Sequence, residues 1–114
     1  MSKTAVEVVQ RQVEAYNRRD IDAFVATYDD EVRIFRLPST TPAMVGKAAL
    51  REFYATKRFN LPGLHAEIRQ RIVLGNKVID QEYVTGIGEQ PLEVVAAYEV
   101  LDGLITTVWF LSPA

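Results

Sequence analysis

The chain has 114 residues with 13 Lys and Arg against 15 Asp and Glu, which fits a single domain over residues 1–114 and offers no basic surface for nucleic acid. It has no cysteine, so disulfides and thiolate metal sites are excluded, and no apolar run approaches the roughly 18 residues of a membrane span. We therefore expect a soluble cytoplasmic protein with no nucleic-acid or membrane partner.

The first half of the chain carries apolar residues at helical spacing. A first helix is predicted from about Thr4 to Arg18. Asp20 is placed to cap a second helix, because its carboxylate can accept hydrogen bonds from the free amides of the next turn. The apolar stripe of that second helix consists of Ile21, Phe24, Val25 and Tyr28. A third helix is predicted between Lys47 and Phe59.

Strand-like segments fill the remainder. After the second helix we expect a turn at residues 29–31, a strand from Val32 to Leu37 and a loop from Pro38 to Gly46. Asp102-Gly103 is a strong hairpin signal, since both central positions of such a two-residue turn need positive φ. Four further strands are predicted at His65–Leu74, Lys77–Thr85, Leu92–Leu101 and Leu104–Leu111. Helices followed by a meander predict an α+β fold, with an antiparallel sheet curling around three N-terminal helices.

The alternation of side chains along these strands assigns residues to faces. Asp80 and Glu82 share one face of their strand. On the next strand, one face is apolar throughout and includes Tyr98, while the other face carries Glu99. Strands that are apolar on both sides are usually covered on both sides. We therefore expect helices and a pocket on one face of the sheet and a second copy of the chain on the other.

Four segments carry a resemblance to a known family: EAYNRRDIDAFVATYDDEV, GKAALREFYATKRF, LHAEIRQRIVLGNKVIDQEYVTG and AAYEVLDGLITTVWFL. Together they resemble the nuclear transport factor 2-like superfamily, in its SnoaL-like branch, which includes polyketide cyclases and ketosteroid isomerases. The resemblance implies a cone of curved sheet closed by three helices, with a pocket inside and a homodimer formed through the convex sheet face. It indicates no particular reaction, because one fold hosts many activities.

The ketosteroid isomerases imply roles for four positions, because their mechanism needs an Asp base and an oxyanion hole made by a Tyr and a protonated Asp. The base falls at Arg36, and arginine cannot abstract a carbon-bound proton at neutral pH. The oxyanion tyrosine falls at Gln12, the second acid at Glu99 and a supporting tyrosine at Tyr54. The resemblance therefore predicts that this chain lacks ketosteroid isomerase activity.

The candidate catalytic residues are Asp80, Glu82 and Glu99, although charged residues in sheets are mostly solvated. For Glu99 two arguments conflict. The apolar period puts Tyr98 inside, whereas the resemblance puts Glu99 inside and gives Tyr98 to the dimer contact. We adopt the second arrangement, with Trp109 and Leu111 also in that contact. The candidate ligand-binding residues are Gln12, Tyr16, Tyr28, Arg36, Phe53, Tyr54 and Phe110.

These assignments leave alternatives open. The aromatic candidates also fit an ordinary core, and Arg36 fits either the pocket mouth or a solvated strand end. Because His65 is the only histidine, a histidine-based metal site is excluded, and we expect neither a metal nor a cofactor. One possible function is that of a dimeric pocket protein that binds a small, largely apolar molecule. The other is that of a cofactor-independent isomerase, cyclase or hydrolase that uses a pocket carboxylate as acid or base.

Overall fold

The structure, a computed structural model, describes residues 4–113 and has the α+β class expected from the sequence. Its elements in chain order are α1 (Ala5–Arg18), α2 (Ile21–Val25), β1 (Tyr28–Arg36), β2 (Met44–Val45), α3 (Lys47–Lys57), β3 (His65–Leu74), β4 (Lys77–Thr85), β5 (Leu92–Leu101) and β6 (Leu104–Leu111). The predicted bounds of the last four strands are confirmed, and those of the first and third helices are confirmed to within two residues. None of the helices in residues 4–113 is both long and apolar enough to cross a membrane.

The six strands form one curved sheet in the order β2-β1-β6-β5-β4-β3. Strands β3 to β6 pair antiparallel, as the meander predicted. Strand β1 joins β6 in parallel, so the sheet is mixed rather than wholly antiparallel. This follows from the chain path, because the helices and β1 precede the meander and β1 pairs with its last strand. The helices pack against one face of the sheet, and no other element of residues 4–113 covers the opposite face.

Local signals account for where the helices begin. Thr4 and Glu7 form a capping box at α1: the Glu7 backbone N–H donates to Thr4 Oγ1 at 3.2 Å, and the Thr4 N–H donates to Glu7 Oε1 at 3.2 Å. The predicted cap of the second helix is confirmed, because the Ala23 N–H donates to Asp20 Oδ1 at 3.1 Å.

The end of α2 differs from the prediction. The helix stops at Val25, and Tyr28 opens β1 instead of extending the helical stripe, so residues 29–31 belong to a strand and not to a turn. The Ile105 N–H donates to the Thr27 carbonyl at 2.9 Å, which starts the pairing of β1 with β6. Such pairing between distant segments leaves no local sequence signal. The same holds for β2, which lies in the predicted loop and pairs with β1.

Two contacts fix the helical layer and the loops over the sheet. The Asn17 side chain mimics a strand partner at the start of β3: its Nδ2 donates to the Ala66 carbonyl at 3.0 Å, and the Ala66 N–H donates to Asn17 Oδ1 at 2.7 Å. Gly86, at a φ of +91°, lies against Gly63, where an added Cβ would overlap the backbone. The loop between β4 and β5 is thereby held against the α3–β3 loop, at one end of the sheet.

Candidate functional site

A cavity of about 460 Å³ lies between the helices and the inner face of the sheet, and this volume is within the range of small-molecule sites. Residues of α1, α3, β1 and β3 to β6 form its wall, together with the loop after β4 and the end of the chain. The lining residues are Gln12, Val13, Tyr16, Arg36, Phe53, Tyr54, Arg58, Ala66, Glu82, Val84, Ile87, Pro91, Leu92, Glu93, Val94, Tyr98, Phe110, Ser112 and Pro113.

The structure brings most of the sequence-predicted site residues to this cavity. Six of the seven ligand-binding candidates lie on its wall: Gln12, Tyr16, Arg36, Phe53, Tyr54 and Phe110. The seventh, Tyr28, is buried in the core and packs against Phe24, with ring centroids 5.1 Å apart. Of the three catalytic candidates, only Glu82 lies on the wall. Ligand binding by these residues stays a prediction.

Glu82 is the buried acid of the cavity. It is 8 % exposed and accepts a hydrogen bond from the Tyr98 hydroxyl at 3.0 Å. Its direct neighbours on β3 and β5 are both apolar, Ile68 and Val94. Burial raises the pKa of Glu82 to about 7, an effect opposed by the Tyr98 hydrogen bond and increased by the negative charge of nearby Asp80. Both protonation states of this carboxyl are therefore populated near neutral pH.

Asp80 lies two residues earlier on the same face of β4 but is not part of the cavity wall. It is fully buried and paired with Arg71, its direct neighbour on β3. Arg71 Nε donates to Asp80 Oδ1 at 2.7 Å and Nη2 donates to Oδ2 at 2.9 Å, which is a bidentate ion pair. Arg71 Nη1 also donates to Gln10 on α1 at 2.8 Å. Asp80 is thus occupied by a structural partner and is not available to a ligand.

The predicted orientation of β5 is wrong. Tyr98 is 2 % exposed on the inner face, and Glu99 points to the outer face, where it accepts from Thr106 Oγ1 at 3.0 Å and pairs with Lys77 at 3.4 Å. The apolar period of β5 had indicated this arrangement, whereas the resemblance had favoured the opposite one. Burial of the aromatic ring decides the orientation, because the inner face is the one covered by helices.

Tyrosine hydroxyls provide neutral hydrogen-bonding groups around the cavity. Burial raises the pKa of Tyr54 to about 12, and the negative charge of Glu82 adds to the effect while Arg58 and Arg36 oppose it. Burial also raises the pKa of Tyr16. Both phenols therefore stay protonated throughout the physiological range and can donate hydrogen bonds.

Gln12 is a buried amide on the same wall. It is 6 % exposed, and among residues 4–113 no donor reaches its Oε1 atom. Burial raises the pKa of Tyr28, and a hydrogen bond with the Gln12 side chain partly opposes this rise. A buried carbonyl oxygen without a partner is uncommon in native structures, which makes this position a candidate polar contact for a bound molecule.

Sequence reasoning missed several residues of the cavity. Tyr98 had a signal, the apolar period of β5, but it was assigned to the other face. Arg58 follows the last residue of α3, where its guanidinium lies 5.0 Å from the centroid of the Phe53 ring. Ile87 belongs to a loop whose position depends on the Gly63–Gly86 contact. No pattern in the sequence indicates that these last two residues approach the cavity.

The outer, convex face of the sheet carries an apolar row. Phe35, Trp109, Ala97, Ile79 and Ile72 are successive direct neighbours across β1, β6, β5, β4 and β3. The Phe35 and Trp109 rings stack with centroids 6.4 Å apart, and Ile72 is 58 % exposed. We call these five residues the convex row. Of the predicted dimer residues, Trp109 and Leu111 lie on this face, and Tyr98 does not.

Within residues 4–113, no three or more His, Cys, Asp or Glu side chains are grouped so that they could hold a metal ion. His65, the single histidine, is exposed at the start of β3.

Comparison with known proteins relates the chain to one family and to several solved structures. Residues 9–108 match the family described as the SnoaL-like domain. An uncharacterised cystatin-fold protein from Novosphingobium aromaticivorans is 25% identical, with a TM-score of 0.86; the match covers 96% of this chain and 98% of that protein. No curated protein matches the sequence.

Two further structures carry names of enzymes. A protein from Kribbella flavida, provisionally assigned as a ketosteroid isomerase, is 21% identical, with a TM-score of 0.81 and coverage of 96% of this chain and 78% of that one. An LEH-like epoxide hydrolase of M. tuberculosis is 18% identical, with a TM-score of 0.77 and coverage of 96% and 82%. At these identities the likeness establishes the fold and leaves the reaction open.

Proposed function

The chain belongs to the SnoaL-like domain family, and we propose that it binds a small, largely apolar molecule in the cavity and exchanges a proton with it through Glu82. The observation that carries this proposal is the Glu82 carboxyl, which is buried on the cavity wall with a pKa of about 7. An acid or base is most effective when its pKa lies near the working pH. The apolar side chains around it favour a ligand of matching character.

The proposed roles follow from the positions of the polar groups. Glu82 accepts a proton from the bound molecule or returns one to it, while Tyr98 holds the carboxyl in place through its hydrogen bond. Tyr16 and Tyr54 supply neutral donors for an oxygen of the ligand. This assignment suits an isomerase, a cyclase or a hydrolase. It does not suit ketosteroid isomerisation of the known kind, because the resemblance assigns Arg36 to the position of its base and arginine cannot abstract a carbon-bound proton.

Hydrogen exchange on bound ketones tests this proposal. Cyclic ketones from cyclohexanone to tetralone are incubated with the protein in deuterated buffer, and incorporation of deuterium beside the carbonyl is followed by NMR. We expect exchange above the buffer rate with the wild type and no such excess with Glu82→Gln. Glu99→Gln, which removes a carboxylate from the outer face, is the matched control and should behave as the wild type. Equal exchange by the wild type and Glu82→Gln would show that Glu82 is not the proton-transferring group.

We further propose that two copies of the chain pair through the convex row. Its support is the continuity of apolar residues across five strands, combined with the exposure of Ile72 and Leu111. Charge placed in the middle of the row should separate the copies. We expect sedimentation equilibrium to give a dimer for the wild type and a monomer for Ala97→Asp, with Glu99→Asp, on the outer face of the same strand, remaining dimeric. A wild-type monomer at micromolar concentration would refute this assembly.

A cytoplasmic location stays a prediction from the sequence.

A further inference from the structure

Two arginines lie on the cavity wall, and both are held against aromatic rings of that wall. The Arg36 guanidinium, at the end of β1, lies 5.7 Å from the centroid of Phe110. The Arg58 guanidinium, just beyond α3, lies 5.0 Å from the centroid of Phe53. Contacts of this kind hold the cation over the ring face without neutralising its charge. Both cations lower the pKa of the same phenol, Tyr54, so they act on one part of the cavity.

In the part of the chain that the structure describes, neither guanidinium has a carboxylate partner. Within residues 4–113 no carboxylate lies within 4.0 Å of Arg36 or Arg58, whereas Arg71 forms a bidentate ion pair with Asp80. Arg58 Nη1 donates to the backbone carbonyl of Lys57 at 2.9 Å, which leaves its other N–H groups available. Neither acid on the wall, Glu82 or Glu93, forms an ion pair with these arginines among residues 4–113, and Glu82 is largely protonated below pH 7.

We propose that the ligand is an organic acid, with an apolar body in the cavity and a carboxylate bound by Arg36 and Arg58. This inference rests on the proposed binding function and specifies the class of molecule bound. Guanidinium groups pair with carboxylates through short, charge-assisted hydrogen bonds. The rings of Phe53 and Phe110 lie beneath the two guanidiniums and line the same cavity, so they place apolar surface directly beside the cationic groups. An apolar molecule with one anionic end matches both features.

Matched acids and methyl esters test the proposal. Calorimetric titration compares benzoate, 2-naphthoate and decanoate with their methyl esters at about pH 6, where Glu82 is largely neutral and the acids are largely ionised. For at least one pair, the acid should bind the wild type at least roughly tenfold more tightly than its ester. Arg36→Gln and Arg58→Gln should each weaken acid binding by roughly tenfold and change ester binding by less than about twofold.

Arg33→Gln is the matched control for Arg36, because Arg33 lies on the opposite face of the same strand, also 5.7 Å from an aromatic centroid, that of Phe35. Lys57→Gln is the control for Arg58. Both variants should leave the affinities for acids and esters unchanged. Circular dichroism verifies that each variant folds, as expected for substitutions of exposed or half-buried side chains.

The outcomes separate this inference from the proposed function. In one outcome the esters bind, the cavity-filling variant Val94→Trp prevents their binding, and the acids bind no more tightly than the esters. The organic-acid proposal is then overturned, while binding in the cavity stands. If the acids bind more tightly than the esters, but the control variants weaken acid binding as much as Arg36→Gln and Arg58→Gln do, the position assigned to the carboxylate is wrong. If no acid or ester binds, both proposals fail.

Discussion

Two carboxyl groups lie close together on the inner face of the sheet, but their surroundings differ. At one, Asp80 meets Arg71 directly across the strand pair and forms two hydrogen bonds with it. At the other, two residues along β4, Glu82 lies opposite Ile68 and Val94, and among residues 4–113 its hydrogen-bond donor is the Tyr98 hydroxyl alone. Burial is similar at both, so the cross-strand neighbour decides the outcome. A carboxylate opposite arginine becomes a structural ion pair, and a carboxyl opposite apolar residues becomes a titratable group in a cavity.

The largest expected effect comes from breaking the structural pair. Arg71→Met leaves Asp80 as an unpaired buried carboxylate and should lower the free energy of unfolding by about 3–5 kcal/mol, measured by urea denaturation at neutral pH. The control is Arg69→Met on the same strand, which removes a half-exposed contact with Glu67 and should cost about 1 kcal/mol or less. Equal losses for the two variants would mean that the Asp80 pair is not structurally important.

The second prediction concerns the pH dependence of stability at Glu82. Its pKa is raised in the folded state from 4.5 to about 7, so the folded state binds the proton more tightly than the unfolded state. Below pH 4.5 both states are protonated and Glu82 imposes no penalty. As the pH rises, the unfolded state ionises first and wild-type stability falls, until the folded carboxyl also ionises near pH 7.

Glu82→Gln removes this penalty. The difference in unfolding free energy between the variant and the wild type should therefore shift in favour of the variant by about 3 kcal/mol from pH 4 to pH 8. Urea denaturation at a series of pH values measures the difference. Glu99→Gln serves as the control from the outer face, and the idea fails if the two variants diverge from the wild type by equal amounts over this range.

A third prediction concerns a variant in which Glu82 is given a cross-strand neighbour like that of Asp80. Ile68→Arg places a guanidinium opposite Glu82, as Arg71 is placed opposite Asp80. An opposite charge favours the ionised carboxyl, so the pKa of Glu82 should fall by about 1–3 units. The change is read from the pH titration of the Glu82 carboxyl carbon by NMR. Ile68→Gln, which is polar but uncharged, should lower the pKa less; an equal fall in the two variants would show that polarity, and not charge, is responsible.

The smallest effect is expected at the hydrogen bond between Tyr98 and Glu82. This hydrogen bond favours the ionised carboxyl, so Tyr98→Phe should raise the pKa of Glu82 further, by about one unit or less. The same NMR titration measures the shift. Tyr83→Phe, on the outer face of β4, is the control and should leave the titration unchanged. A downward shift in Tyr98→Phe would contradict the role assigned to the hydroxyl.

Much of this fold was predictable because its signals are local. Thr4 and Asp20 are capping residues, the apolar spacing marks α1 and α3, and the turn at residues 102–103 fixes the last hairpin. The failures share one cause. The start of β1 at Tyr28 and the short strand β2 depend on pairing between segments that are distant in sequence or joined by an irregular loop. Local periodicity contains no information on such pairing.

The candidate site likewise has features that the sequence predicts and features that depend on the tertiary structure. The sequence by itself determined the residue types available, the strand on which Asp80 and Glu82 share a face, and the aromatic positions of the helices. Only the tertiary structure decided that Arg71 pairs with Asp80, that Glu82 remains in the cavity, and which of the two orientations argued for Glu99 is correct. The physical reason is that protonation and availability depend on the cross-strand neighbours and on burial. Both are set by register and by which face the helices cover, and neither is encoded in the alternation of a single strand.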